Sequence, residues 1–501
     1  MKTKYFAIAL ALLSGYSFAQ NDLDALRYSQ TNIGGTARFI SMGGAFGALG
    51  ANISCMSQNP AGLGVYRKGE MNISPGLRFT TITGTHNGNE LKNFKPGFLF
   101  NGLGMVAAWE GTQNKDNRHS VGFAFNQLAN FNQNISLGGY SQNKSIANDL
   151  LANAGNANPN NLDPSYSGLA FNTYLLDTID GQYYSFTNDK FNLYQRKYIQ
   201  TTGRMNEFAL AYAYGYQDKL YIGASLGIPS ISYNHSSTYS ESDDKDSLYI
   251  NYNGSTFSTS YDYNVYYYPG LGGFESMSYN ETYKTSGRGY NLKLGILYRV
   301  NEFLRVGAHY HTPTVLNLTD TYSYKMTTKF DEGDSYDFTF PENGGVYKYV
   351  IITPMRYGAS LGFIYKKMFV VGLDYEGVNY GQATILGSEA GAFSDVNNTI
   401  SDKYTTAHNI RVGTEINLNP IVIRLGYASL GSPFGDTFTG KFVRNSYSGG
   451  IGFRSNNWTF DFGLVRQMYN EDYYMYNPKY VNRSDIKFSG TNFVCTVGLK
   501  F

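Results

Sequence analysis

The chain has 501 residues, among them 56 Gly, 46 Tyr and 33 Phe, and only 16% are charged. Such a composition argues against a mainly helical protein and for strands and their turns. A mean hydropathy of −0.34 excludes a bundle of membrane-spanning helices, and 40 basic against 38 acidic residues offer nothing to attract nucleic acid.

The first element is Met1–Ala19, MKTKYFAIALALLSGYSFA. Lys2 and Lys4 precede an apolar run, and Ser17-Phe18-Ala19 closes it. This pattern predicts a secretory signal, residues 1–19, cut after Ala19. No later apolar run reaches 18 residues, so an exported chain of this kind is either soluble or a barrel. Cys55 and Cys495 are the only cysteines, too few for a disulfide scaffold.

Residues 20–69 form a second unit, with a short helix expected at Leu23–Tyr28. Its centre, Ser41–Gly64, is SMGGAFGALGANISCMSQNPAGLG. The stretch is small, Gly-rich and nearly uncharged, and has too few large apolar groups to bury a core alone. It stays ordered only if something surrounds it.

From Glu70 the period becomes two. In Gly203–Asp218, Phe208, Leu210, Tyr212, Tyr214 and Tyr216 share one face, and Ala209, Ala211, Ala213 and Gly215 share the other. Leu292, Leu294, Ile296 and Tyr298 alternate with Lys293, Gly295, Leu297 and Arg299. Leu304, Val306, Ala308 and Tyr310 alternate with Arg305, Gly307, His309 and His311, and Ile421, Ile423, Leu425 and Tyr427 with Val422, Arg424 and Gly426. Alternation alone fits a soluble sandwich or a membrane barrel. Strand length decides for the barrel. These runs are roughly 11–16 residues against about 5–6 in soluble proteins.

Fourteen such strands are expected, near 70–83, 95–109, 119–131, 203–217, 219–233, 286–299, 303–318, 347–365, 368–383, 405–418, 420–429, 441–454, 457–469 and 486–501. Short connections such as Gln217-Asp218-Lys219, Val300-Asn301-Glu302 and Ser455-Asn456-Asn457 alternate with long ones such as Asn132–Thr202, Asn234–Thr285 and Thr319–Val346. This is the rhythm of an antiparallel outer-membrane barrel, residues 70–501, with its turns in the periplasm. The apolar face then meets outer-membrane lipid. Lys293, Arg299, Arg305, Arg411, Glu415, Arg424, Arg454 and Asp461 then line the lumen, because Arg or Lys facing mid-bilayer costs roughly 2–4 kcal/mol. In the last strand Cys495 falls on the lipid face, out of reach of Cys55. Asn148–Asn161 suggests a loop helix, and Tyr261–Tyr268, YDYNVYYY, an aromatic surface cluster.

Arg38–Gly64, a Gly/Ala run leading into Asn59-Pro60-Ala61-Gly62, resembles the N-terminal hatch of the long-chain fatty-acid transporter (FadL-like) family. Arg288–Pro313 resembles a hairpin of that family, and IRLGYASLGSP within His408–Pro433 matches its order of basic residue, Gly-Tyr, then Pro. Phe501 resembles the terminal aromatic read by the barrel-assembly machinery. The resemblance implies a fourteen-stranded all-β barrel with a hatch inside it and passive passage of hydrophobic molecules. It also implies an exit through the wall near the third strand, here His119–Phe131, where Gly122, Asn126 and Gln127 interrupt the pattern. Gly43, Gly44, Phe46, Asn59, Pro60 and Ala61 become the hatch candidates, with Asn59 and Pro60 shaping its turn.

Arg299, Arg305, Arg411 and Arg424 are candidates to hold a fatty-acid headgroup, since Arg grips a carboxylate through two parallel bonds. The alternative is a structural lumen ladder with Glu415 and Asp461. His309 and His311 share a face, but no third metal ligand lies near them in sequence. No nucleophile elbow, zinc helix or Walker loop is present. The reading is an outer-membrane transporter of hydrophobic small molecules such as long-chain fatty acids: no enzyme, no cofactor, no metal, and a monomer. The second reading is an adhesive or structural barrel whose Tyr/Asn-rich loops bind an external partner.

Overall fold

The computed structural model describes residues 21–501 except 33, 113, 143, 186, 188–191, 245–272, 332, 367, 390 and 436–441. The expected signal segment and the Tyr261–Tyr268 cluster lie outside the described residues.

The wall is one closed antiparallel sheet of fourteen strands. They are β1 (Glu70–His86), β2 (Asn89–Glu110), β3 (Arg118–Asn130 with Gln133–Tyr140), β4 (Tyr194–Tyr216), β5 (Leu220–Ser242), β6 (Phe274–Arg299) and β7 (Leu304–His311 with Val315–Phe330). The ring continues through β8 (Ser335–Ile352 with Arg356–Tyr365), β9 (Phe369–Asn379 with Thr384–Leu386), β10 (Thr406–Asn417), β11 (Ile421–Leu430), β12 (Arg444–Ser455), β13 (Trp458–Tyr473) and β14 (Ser484–Lys500). β14 pairs with β1, from Glu70↔Lys500 to His86↔Ser484, and closes it. Closure leaves no sheet edge, which lipid would not tolerate.

The apolar faces point outward. Leu210, Ile222, Leu292, Leu361, Ile423 and Leu425 are exposed, Leu425 at 61%, while Arg424 on the opposite face is at 1%. A surface this apolar around a closed barrel is a lipid-facing belt. Exposed Trp109, Tyr216, Tyr298, Tyr365 and Trp458 ring its lower edge at the short turns, and Tyr290, Tyr310, Tyr357, Tyr375 and Tyr447 mark the upper one. Tyr290 and Tyr298 are eight residues apart, about 27 Å along the strand, which when tilted spans most of the ~25 Å band of such barrels.

Three expectations are corrected. The strands run far beyond the belt, so Thr319–Val346 is not a long loop: β7 and β8 go on pairing, across a register shift between Tyr322 and Tyr324, as far as Lys329↔Ser335. β7 is not one ribbon through 303–318. It breaks at Thr312-Pro313-Thr314, and β8 breaks beside it at Thr353-Pro354-Met355, since Pro has no N–H to give a ladder. The faces exchange across the break, so His309 and His311 point inward below it, and Leu316 and Leu318 above it. Likewise β4 begins at Tyr194 rather than near 203, because its polar upper half is an extension in water that an apolar criterion overlooks.

Above the membrane, inward Tyr239, Phe274, Met326 and Phe488 pack with loop helices Ile146–Ala154 and Ser167–Asn172 through Leu150 and Leu169. Both cysteines are free; Cys55 is buried.

Candidate functional site

The N-terminal segment begins with helix α1 (Asp22–Ser29), capped by Asn21, whose side chain accepts from the Leu23 and Asp24 amides. Helix α2 (Ala37–Ser41) and two 3-10 turns, Ile53–Ser57 and Pro60–Val65, follow. Phe39, Met42, Phe46, Ile53, Met56 and Leu63 are at most 2% exposed, although the segment is too small to bury them by itself. The wall does so.

The packing depends on glycine. Each strand from β2 to β13 turns one glycine against the segment: Gly104, Gly122, Gly215, Gly223, Gly295, Gly307, Gly362, Gly372, Gly413, Gly426, Gly450 and Gly463. A Cβ on Gly307 would sit 2.6 Å from the Gly47 carbonyl, and one on Gly463 3.0 Å from that of Ala37. Glycine inside a strand marks the close approach of another backbone. The approach is mutual at Gly43, where φ is +63° and a Cβ would lie 2.8 Å from the Tyr427 carbonyl.

The other candidates of this segment are buried with it. Phe46 stacks on Phe39 with centroids 5.4 Å apart and lies under Arg38. The Gly44 carbonyl accepts from Gln58 Nε2 at 2.9 Å. Asn59 Oδ1 accepts from the Ala61 amide at 3.2 Å, capping the turn that Pro60 starts, and its Nδ2 donates to the Gly47 carbonyl at 2.7 Å and that of Ile296 at 3.2 Å. Burial pushes the Cys55 thiol up to about 12.

Charge ties the segment to the wall. Arg424 donates to Glu415 at 2.6 Å and Asp461 at 2.8 Å. Arg38 grips Glu415 with two bonds, 2.8 and 2.9 Å, and reaches the Ala51 carbonyl at 3.0 Å. Arg454 holds Asp461 at 3.0 Å. Further round, Arg411 pairs with Glu376 at 3.0 Å and Arg305 donates to the Leu49 carbonyl at 2.8 Å. Asp374 accepts from the Gly47 amide at 3.0 Å and Gln58 Nε2 at 2.8 Å. Lys293 pairs with Glu207, which also accepts from Ser57 Oγ at 2.8 Å. Arg411 and Arg424 are thus held by carboxylates. Arg299 sits half-exposed near the short turns, opposite Arg305 in the ladder of β6 and β7. His309 and His311 face the lumen, and His311 Nε2 lies 2.7 Å from the Gln58 carbonyl oxygen. Asn126 of β3 donates to Ser57 at 2.9 Å, so it faces the lumen rather than lipid.

Glu207, Asp374, Glu376 and Arg356 went unnoticed in the sequence. Period two carried two residues back from Ala209 reaches Glu207, and Asp374 and Glu376 share a face with Gly372.

Above this polar floor the bore changes character. Met205, Ile231, Tyr233, Leu316, Leu318, Tyr349 and Ile351 point inward and pack with Leu26 and Tyr28 of α1. A narrow cleft separates the two levels, bordered by Tyr28, Leu128, Met205 and Leu316 on its apolar side and by Lys293, His311 and Arg356 on its polar side.

No family model and no curated protein matches the sequence. Solved structures do match. The P. putida toluene transporter TodX superposes with a TM-score of 0.51 at 14% identity, over 93% of this chain and 99% of its own. A Pseudomonas aeruginosa FadL homologue gives 0.51 at 13%, over 94% and 99%. The chain is a FadL-like barrel by fold. With its lipid-facing belt, this FadL-like chain is a multi-pass outer-membrane protein.

Proposed function

We propose that this FadL-like barrel takes up hydrophobic small molecules by passive diffusion, long-chain fatty acids among them, with no cofactor and no energy source. Residues 1–19 are its export signal, 20–69 a hatch and 70–501 the barrel. One observation carries the reading. The lumen of a membrane barrel is ordinarily polar, but here the upper bore is lined by Met205, Ile231, Leu316, Leu318 and Ile351. Such a lining excludes water and ions and solvates a hydrocarbon chain. A toluene transporter and a FadL homologue share this fold, which supports the same reading.

For a fatty acid the cleft offers a place for each end. Its tail lies along Tyr28, Leu128 and Leu316, and its carboxylate faces Lys293 and Arg356. These two cations border the cleft, as Arg411 and Arg424 do not, although Glu207 and Glu376 beside them already pair with Lys293 and Arg356. The irregular part of β3, with a register shift between Gln127 and Ala129 and a break at 131–132, is the exit we assign.

The test is oleate and toluene influx into vesicles holding the purified barrel. Leu316→Asn should slow both while the barrel stays folded, and Arg356→Gln should slow oleate alone. Influx of both at the parent rate in folded Leu316→Asn would overturn the proposal.

A further inference from the structure

On the outer face of β4, β5 and β6, just above the apolar belt, the lipid-facing pattern stops. Tyr290 is the last apolar outward residue of β6, and Arg288 follows it outward. Phe208 is the last on β4; Asn206 and Arg204 come next on the same side. The register places these residues in two rows. Arg204 pairs with Ser232, which pairs with Ser286; Asn206 pairs with Ser230, which pairs with Arg288. The two arginines therefore occupy opposite corners of a patch three strands wide. Ser230, Ser232, Ser286 and Gly287 floor it, and the whole forms a depression in the outer wall.

Three features distinguish this patch from an ordinary rim. Both arginines are exposed, and neither has a carboxylate at ion-pair distance among the described residues. Lys284, two pleats above Arg288 on the same face, adds a third cation, whereas the acidic neighbours Glu207 and Glu281 point inward to Lys293 and Lys197. Asn206 borders the depression at 9% exposure, with its Oδ1 lacking a hydrogen-bond partner. Turned over, that amide presents two donors instead. Two strand spacings of ~4.8 Å and a two-residue offset along the strands set the Arg204 and Arg288 backbones about 12 Å apart on the diagonal, within reach of two converging side chains. A single tetrahedral anion fits between two guanidinium groups at that spacing, each giving it paired N–H bonds.

We infer that Arg204, Arg288 and Asn206 form a site on the barrel's outer wall for the phosphate of an outer-leaflet glycolipid. Level selects the lipid as the occupant. The site lies outside the barrel, immediately above Tyr290, where acyl chains end and headgroups begin. The outward Phe208, Ile228 and Tyr290 beneath it supply a surface for the acyl chains of the same molecule. The serine floor keeps the depression shallow enough for a headgroup and leaves the arginines free to converge.

The folded barrel in detergent is titrated with bis-phosphorylated lipid A, with fully dephosphorylated lipid A and with inorganic phosphate, and bound adducts are counted by native mass spectrometry. Parent protein should retain the bis-phosphorylated lipid, and Arg204→Gln/Arg288→Gln should lose it at least tenfold. Lys219→Gln, a charge removed at the opposite rim, should bind like the parent. Folding is checked by heat-modified migration. If the double variant does not fold, Arg204→Gln and Arg288→Gln are measured singly, each expected to lose several-fold. Equal retention of phosphorylated and dephosphorylated lipid, or unchanged retention in the folded variants, overturns the proposal. So does inorganic phosphate competing at concentrations near those of the lipid, which would make the site one for a free anion. None of these readouts depends on uptake.

Discussion

Arg424→Gln tests how the bore is held together. Arg424 is 1% exposed and bridges Glu415 on the adjacent β10 and, reaching past Gly452 of β12, Asp461 on β13. Breaking a buried ion pair from one side costs about 3–5 kcal/mol, because a charge is left without its partner. Here both carboxylates keep a second cation, Glu415 through Arg38 and Asp461 through Arg454. The expected loss is therefore at the lower end, about 3 kcal/mol, or two powers of ten in the unfolding equilibrium. Urea unfolding of the barrel refolded into lipid vesicles measures it, with tryptophan emission as the signal. Arg299→Gln, at the rim and without an ion-pair partner among the described residues, should shift stability by no more than about 0.5 kcal/mol. In an Glu415→Gln background the Arg424→Gln loss should shrink, a coupling of about 1 kcal/mol or more. If Arg424→Gln unfolds within about 0.5 kcal/mol of the parent, the network does not bear on stability and the electrostatic argument is wrong.

Deleting residues 43–64 should leave a barrel that assembles and migrates as folded but changes uptake of a long-chain fatty acid; unchanged uptake would speak against a hatch that controls passage. Asn59→Ala removes a cap and both ties to neighbouring carbonyls, so residues 44–65 should lose amide-exchange protection by about 1–2 kcal/mol while the strands keep theirs. Gly43→Val meets the Tyr427 carbonyl in a backbone conformation that β-branched residues rarely adopt, and the yield of refolded barrel should fall severalfold on a heat-modified gel. Cys55, with its thiol held neutral by burial, should not react with a thiol reagent at pH 8 until the protein is unfolded.

Much of the wall was legible because one rule governs it. A strand between lipid and lumen must alternate, and an Arg or Lys on the wrong face is costly enough to fix its register. Arg424 between Ile423 and Leu425, or Lys293 between Leu292 and Leu294, states its own orientation. Where the surroundings change, the rule fails. The upper halves of β4 to β8 stand in water, so their sequences look like loops although their hydrogen bonds are those of strands. The apolar residues there, Met205, Ile231 and Leu316, turn inward, and only the break at Pro313 makes this possible for β7.

The chain by itself determined the number of crossings, the faces of most strands and the need for an enclosure around Ser41–Gly64, since these follow from local period and from the cost of charge in hydrocarbon. The tertiary structure alone decided what the bore contains. Twelve glycines far apart in sequence meet one short segment, and a carboxylate on β10 finds an arginine 377 residues away. Local pattern carries no information about such contacts, because they depend on how the closed ring aligns its strands around the segment it surrounds.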